Sequence, residues 1–332
     1  MLGLRSPRAA GPVGRFEGAV VQAFEEGVHD GQGTGRASLL SLYRSNMSPS
    51  SMLVTGASTG IGKATALYMD ERGWKVFAGV RKESDGEALE AEASGSLEPI
   101  IVDVTDTASI ASAAKEVEGR VDGLDGLVNN AGISVHGPLE YLPLDDLRNQ
   151  LEVNVIGQVA VTQAFLPLIR QAKGSVVFVG SVAGRAPSLP MLGPYTASKY
   201  AIEALGESLR LELLPWDIKV SIIEPGAIES AIWEKGTSAI DDLLERIPEE
   251  GRDRYLDSMN RAREIAQWLE SRGIGPEKVA RKVHHALTAS NPRIHYLVGM
   301  DAKSRAFLES QVPKPLRDKV VSKVLGYDKK GT

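Results

Sequence analysis

From residue 51 onward, short apolar runs rich in β-branched residues alternate with stretches of helical patterning, and this alternation restricts the fold more than any other feature. The runs are Met52–Thr55, Lys75–Gly79, Pro99–Val102, Gly126–Asn129, Ser175–Gly180, Lys219–Ile223 and Ile294–Val298. Helical segments such as Ile61–Arg72 and Ser109–Glu118 separate the early ones. A strand that is apolar along its whole length, without in–out alternation, is buried on both faces. Strands joined through helices must lie parallel, because a tight turn cannot return the chain to the same end. The expected architecture is α/β, a doubly wound parallel sheet of seven strands with helices on both faces.

Residues 227–275 break the alternation. They carry many charges, among them Asp241, Asp242, Glu245 and Arg246, with Leu243, Leu244, Ile247, Trp268 and Leu269 recurring between them. This reads as a helical insertion forming a lid over one edge of the sheet. The domain itself is expected over 47–300, with a helical C-terminal extension over 301–332. Residues 1–46 are dominated by Gly, Ala, Ser and Arg and show no strand pattern, so they are expected to be a disordered or non-native extension. Glu25, Glu26 and Asp30 argue against a transit peptide, since such peptides are poor in acids.

Composition closes off several functions. A net charge of −5 gives no electrostatic footprint for nucleic acid. The absence of cysteine removes disulfides, thiolate catalysis and thiolate metal sites, and the 5 histidines lack metal-ligand spacing. No uninterrupted apolar run approaches the roughly 18 residues of a membrane span. The expectation is a soluble, cytoplasmic protein with no metal.

The segment Thr55-Gly56-Ala57-Ser58-Thr59-Gly60-Ile61-Gly62 follows the first run and opens a helix. Gly56 permits a tight turn, Gly60 clears a side chain from where a pyrophosphate meets backbone, and Gly62 lets the helix pack close to the sheet. The helix N-terminus then offers unpaired N–H groups to phosphate. Taken alone, the trio also fits a glycine-rich turn with no ligand. Its GxxxGxG spacing resembles that of the short-chain dehydrogenase/reductase family. The resemblance continues in order through Asp103-Val104, Asn129-Asn130-Ala131-Gly132, a Tyr195/Lys199 pair and Pro225-Gly226. It is specific over about 51–230 and looser to about 300. It implies a Rossmann-type fold and NAD(P)-dependent transfer of hydride between cofactor and a CH–OH carbon. It assigns cofactor contacts to Gly56, Ser58, Thr59, Gly60, Ile61, Gly62, Asp103, Val104, Asn130, Ala131, Gly132, Tyr195, Lys199, Pro225, Gly226 and Ile228.

The second run ends Val80-Arg81-Lys82. Where an NAD-binding chain carries an acid for the ribose 2′-hydroxyl, this one has Val80 followed by Arg81, whose planar fork suits a 2′-phosphate. NADP is therefore expected, with NAD as the alternative; Glu83 and Asp85 follow closely and would weaken the preference.

By the same resemblance, Asn154, Ser181, Tyr195 and Lys199 form a catalytic tetrad. Tyr195 and Lys199 are four apart, on one face of a helix about 6 Å apart along its axis. A tyrosine ionises near 10, too high for an efficient base at neutral pH. An ammonium about 4 Å away would favour the phenolate by roughly 4 kcal/mol at an effective dielectric of 20. The family also has the lysine hold the nicotinamide ribose, the serine donate to the substrate oxygen and the asparagine hold a water. A chain that kept the cofactor but lost catalysis, a dinucleotide sensor or scaffold, is the alternative function; it should show a broken tetrad, and all four residues are present.

Ser181, Tyr195 and Trp233 are the substrate candidates, Trp233 either lining an apolar pocket or anchoring the lid. Ser230 stands where many relatives have a threonine, and Glu229 has no assignable role. The long lid and tail resemble the steroid-, retinol- and hydroxybutyrate-dehydrogenase-like branch, which implies a bulky lipophilic alcohol or carbonyl substrate and a homodimer or homotetramer. In the tail, Leu316, Val320, Val321, Val324 and Leu325 form an apolar stripe with Arg317, Lys319 and Lys323 on other faces. It fits either packing against protein or peripheral contact with a membrane.

Overall fold

In the computed structural model the described residues are 49–186, 189–229 and 241–324, and every element below lies in the unit Ser50–Thr332. Residues 1–46, Ser230, Trp233 and Leu325 lie outside the described residues, as do the side chains of Val320, Val321 and Val324.

The seven expected strands are present: β1 Ser51–Thr55, β2 Lys75–Val80, β3 Leu97–Ile101, β4 Gly126–Asn129, β5 Ser175–Val179, β6 Lys219–Pro225 and β7 His295–Val298. They form one sheet in the order β3-β2-β1-β4-β5-β6-β7, with every pairing parallel. The order reverses between β1 and β4, and at such a switch point the crossovers leave to opposite faces and open a crevice at the carboxyl ends. Strand bounds differ from the sequence expectation by a residue or two. β3 ends at Ile101 rather than Val102, which leaves Asp103 two residues past the strand.

Helices α1 Gly60–Asp70, α2 Glu83–Glu90 and α3 Thr107–Glu118 follow the first three strands. Helix α4 Leu144–Leu151 runs through a π-helical turn, Glu152–Ile156, into α5 Gly157–Ala172. Helix α6 Gly193–Glu212 follows β5. Alternate strand residues feed two cores, one on each face. Met52, Val54, Val76, Val128 and Val177 lie on one side. Leu53, Phe77, Leu127, Val176 and Phe178 lie on the other, against Phe165 and Ile169 of α5. The run Leu144–Ala172 is long and apolar enough to cross a membrane, contrary to the sequence expectation. Here Val161, Phe165, Leu168 and Ile169 are buried, so the core accounts for much of that apolarity.

The insertion after β6 is helical as expected, at 241–246 and in α7 Glu249–Glu270. Leu243, Ile247 and Met259 form a small core with Leu142 and Met191, which seats the insertion at the carboxyl edge. Helix α8 Glu277–Thr288 returns to the sheet through buried Val279, Ala280 and Val283. After β7 come α9 Met300–Gln311 and α10 Lys314–Val324.

Candidate active site

The turn after β1 shows why its glycines are there. Gly56 has φ +66°, a left-handed conformation, and a Cβ on it would stand 2.9 Å from Ala131 Cα. A Cβ on Gly62 would stand 2.2 Å from the Gly56 carbonyl oxygen, so α1 can begin this close to β1 only with glycine there. The β4 end braces the turn. Thr55 Oγ1 accepts from the backbone N–H of Asn130 and of Ala131, both at 3.0 Å. Asn130 Nδ2 donates to the carbonyls of Thr55 (2.8 Å) and Gly56 (3.2 Å). Thr59 precedes α1 in extended conformation and makes no side-chain cap, leaving the helix's first N–H groups without one.

A groove of about 420 Å³ starts at this turn and crosses the carboxyl edge. Gly56, Ser58, Thr59, Gly60 and Ile61 line its first part, and Asp103, Val104, Asn130, Ala131 and Gly132 its floor. Tyr195, Lys199, Pro225, Gly226 and Ile228 line the far end. Gly62 stands behind the wall. Exposed Arg81 lies at the rim, close enough to Asp103 to help hold that carboxylate below its usual range, though the Thr105 N–H is the larger cause. Glu83 and Asp85 fall in the first turn of α2, where acids favour a helix N-terminus.

Asn154 sits in the π turn, fully buried. Such turns are rare and recur at functional sites. Its Oδ1 accepts from Ile133 N (2.8 Å), while Nδ2 donates to Ile133 O (3.0 Å) and Ser198 Oγ (3.1 Å). Ser198 Oγ in turn donates to Tyr195 O at 2.7 Å. Asn154 is one rung of a ladder that the sequence reading missed. Gln150 holds Val135 N and Ile133 O (2.6 and 2.9 Å), and Gln158 Nε2 donates to Ala131 O (3.0 Å). Thr162 Oγ1 accepts from Asn129 Nδ2 at 2.8 Å. Positions 150, 154, 158 and 162 are each four apart, and together they grip the backbone leaving β4. The four-residue recurrence of amide and hydroxyl side chains in an apolar helix was the available signal.

Ser181 follows β5 and lines both cavities beside Tyr195, close enough for its hydroxyl to favour the phenolate. Burial pushes the phenol's pKa above its usual value, against lowering by Ser181 and by Arg305. Lys199 Nζ donates to Val179 O at 2.8 Å and lies 5.6 Å from the Tyr195 ring centroid. The Val179 carbonyl takes the ammonium, and burial drives its pKa down to about 8. A second cation, Arg305 of α9, acts on Tyr195 through space and favours its phenolate.

The groove fits a dinucleotide: its turn is a cradle that a Cβ at Gly56 or Gly62 would fill, and its floor ends beside a serine–tyrosine pair. A family model described as short chain dehydrogenase matches residues 50–241. The chain belongs to the short-chain dehydrogenase family. Retinol dehydrogenase 7 of Rattus norvegicus is 37% identical over 301 residues, covering 86% of this chain and 94% of that one. The NADPH-dependent 3-dehydrocapnine reductase of Ornithobacterium rhinotracheale is 35% identical over 283 residues, covering 82% and 96%. Among solved structures, a short-chain dehydrogenase from Streptomyces avermitilis superposes with a TM-score of 0.66 at 28% identity, covering 86% of this chain and 97% of that chain. As a short-chain dehydrogenase the protein is an NAD(P)-dependent oxidoreductase acting on CH–OH groups of small organic molecules.

A second cavity, about 70 Å³, opens on the other side of Ser181 and Tyr195. His136, Leu192, Thr196, Leu269, Asp301 and Arg305 are among its lining residues. His136 is buried, pairs with Ser134 Oγ at 2.7 Å, and has its pKa driven down to about 4 by burial, so it is neutral near pH 7. No motif marked His136, Asp301 or Arg305 in the sequence.

Proposed function

We propose that the protein prefers NADP(H) and interconverts a bulky lipophilic secondary alcohol with its ketone, using Asn154, Ser181, Tyr195 and Lys199. The observation that carries this reading is that Ser181 and Tyr195 stand together at the junction of the two cavities. A carbonyl or carbinol oxygen held there meets both hydroxyls at once. The nicotinamide, when bound, supplies or accepts the hydride. Tyr195 gives a proton to the substrate oxygen in reduction and takes it in oxidation, while Ser181 donates a second hydrogen bond to the same oxygen. Lys199 would hold the nicotinamide ribose, and Asn154 keeps the 131–135 backbone and the catalytic helix in register.

Arg81 supports the NADP preference: it stands at the groove rim with no acid at Val80 to repel a 2′-phosphate. Arg81→Ala should weaken NADP binding about 10- to 100-fold, the scale of a hydrogen bond to a charged group, and leave NAD binding nearly unchanged. Equal losses for both cofactors would mean that Arg81 supports the loop without reading the phosphate. The retinol named for one relative, an apolar alcohol, supports a lipophilic substrate. A screen of lipid alcohols and ketones, followed at the nicotinamide absorbance, tests the whole reading; no turnover of any by a cofactor-loaded protein would sink it.

A further inference from the structure

Helix α9 brings a charge to the reacting centre from outside the segment that the family model matches. Arg305 lines the smaller cavity together with Ser181 and Tyr195. Its neighbour one turn earlier, Asp301, is already engaged. Asp301 Oδ2 accepts from Ala227 N at 2.7 Å, and its carboxylate fills the space a side chain at Gly226 would need. That contact anchors α9 to the turn after β6 and fixes where Arg305 stands. Arg305 is half-buried, and among the described residues its guanidinium has no ion-paired partner; Asp301 and Tyr195 act on it only through space. A guanidinium carries five N–H donors, which can meet the oxygens of an acid group entering the cavity. Burial pulls its pKa below the usual arginine value, yet that value lies so high that it stays a cation. His136, on the same cavity, is neutral near pH 7 and adds no charge.

We infer that Arg305 binds an oxyanion on the substrate, a carboxylate, sulfonate or phosphate close to the reacting carbon, so that the preferred substrates are acidic amphiphiles rather than neutral lipids. This rests on the oxidoreductase reading of Ser181 and Tyr195 and narrows its substrate class. The geometry suits it. The planar fork of an arginine takes two oxygens of one acid group. Leu192 and Leu269 on the same cavity offer apolar contact for the carbon chain beside that group.

The test uses the NADP-loaded protein and three probes of equal chain length: dodecanoate, dodecanesulfonate and dodecanol. Calorimetry should show both acids binding at least about tenfold more tightly than the alcohol, the scale of one hydrogen bond to a charged group. Arg305→Met should abolish that advantage and leave dodecanol unchanged, and Arg305→Lys should restore part of it. Unchanged NADP affinity in each variant shows that the fold is intact. Acids no tighter than the alcohol in the wild type, or an equal loss for all three probes in Arg305→Met, would overturn the inference. Paired ketones with and without a terminal carboxylate separate this failure from failure of the oxidoreductase reading. Reduction of neutral ketones alone removes the anion site and keeps the enzyme. Selective acid binding without turnover of either ketone keeps the anion site and removes the enzyme.

Discussion

At the scale of single residues, the two members of the YxxxK pair make separable predictions. Tyr195→Phe keeps the ring and its packing and deletes only the proton carrier. Turnover should fall at least about 100-fold, the lower range for a lost general acid–base, while cofactor titration stays near wild type. Near-normal turnover would remove Tyr195 from the chemistry. Lys199 predicts a pH dependence whose sign follows from its environment. Burial brings its pKa to about 8, so in the free protein the ammonium persists below that pH and is lost above it. If the ammonium holds the nicotinamide ribose, wild-type cofactor affinity is full below about pH 8 and declines as pH rises beyond it. Lys199→Met should bind more weakly at neutral pH and lack that decline. Fluorescence titration across pH checks both, and a Met variant with the wild-type profile would leave Lys199 with only a packing role. Tyr195 and Lys199 were legible in the sequence because their spacing sits after a recognisable strand. Their electrostatics were not, because the partner Val179 carbonyl and the Arg305 charge belong to other elements.

At the scale of elements, the 144–172 helix both packs the sheet and grips a loop. Its apolar residues fill the core under β4 and β5, while Gln150, Asn154, Gln158 and Thr162 hold backbone and side chains where β4 ends. Gln150→Leu would strip the Val135 N–H and Ile133 carbonyl of their partner. Leaving buried groups unpaired costs about 1–3 kcal/mol, so the denaturant midpoint should drop accordingly. Turnover should suffer too, since the same backbone runs on to Ser134 and His136 at the second cavity. A midpoint within error of wild type would mean that water replaces the amide without cost. The strands were readable because two-sided burial writes itself as unbroken apolar runs, and the glycines because close approach admits nothing larger. The π turn was not, since its sequence, Glu152 to Ile156, differs in no obvious way from ordinary helix.

At the scale of the whole molecule, a polar cluster ties together the catalytic helix and the last two strands. His295 of β7 meets Glu203 and Glu207 of α6, at 3.3 and 2.7 Å, and Glu224 of β6 at 3.2 Å. Glu224 is fully buried and also pairs with Arg185 at 2.7 Å. The carboxylates of Glu203, then Glu224, push His295 up to about 10. The folded state therefore keeps a proton that the unfolded chain releases near 6.5. Its stabilisation is complete below about 6.5 and fades as pH rises toward 10. His295→Asn should be less stable than wild type at pH 6, with the gap narrowing by pH 9. Thermal unfolding at both pH values checks this; a gap that is constant or widens would contradict it. Nothing local in the sequence announced the cluster, because its members are spread over residues 185–295 and only the sheet order makes them neighbours.

The bond between Asp301 and the backbone after β6 also has a bearing on how the chain matures as it leaves the ribosome. Residues 51–225 supply six of the seven strands and most of the cofactor groove, and a growing chain can pack them first. Until β7 arrives, β6 stays an open edge, able to pair with a neighbouring nascent chain. Arg305, which shares the second cavity with Tyr195, arrives later still. Cofactor binding should thus precede a finished reaction chamber during synthesis, and a high nicotinamide concentration in the cell would steady the half-built sheet through its most adhesive interval.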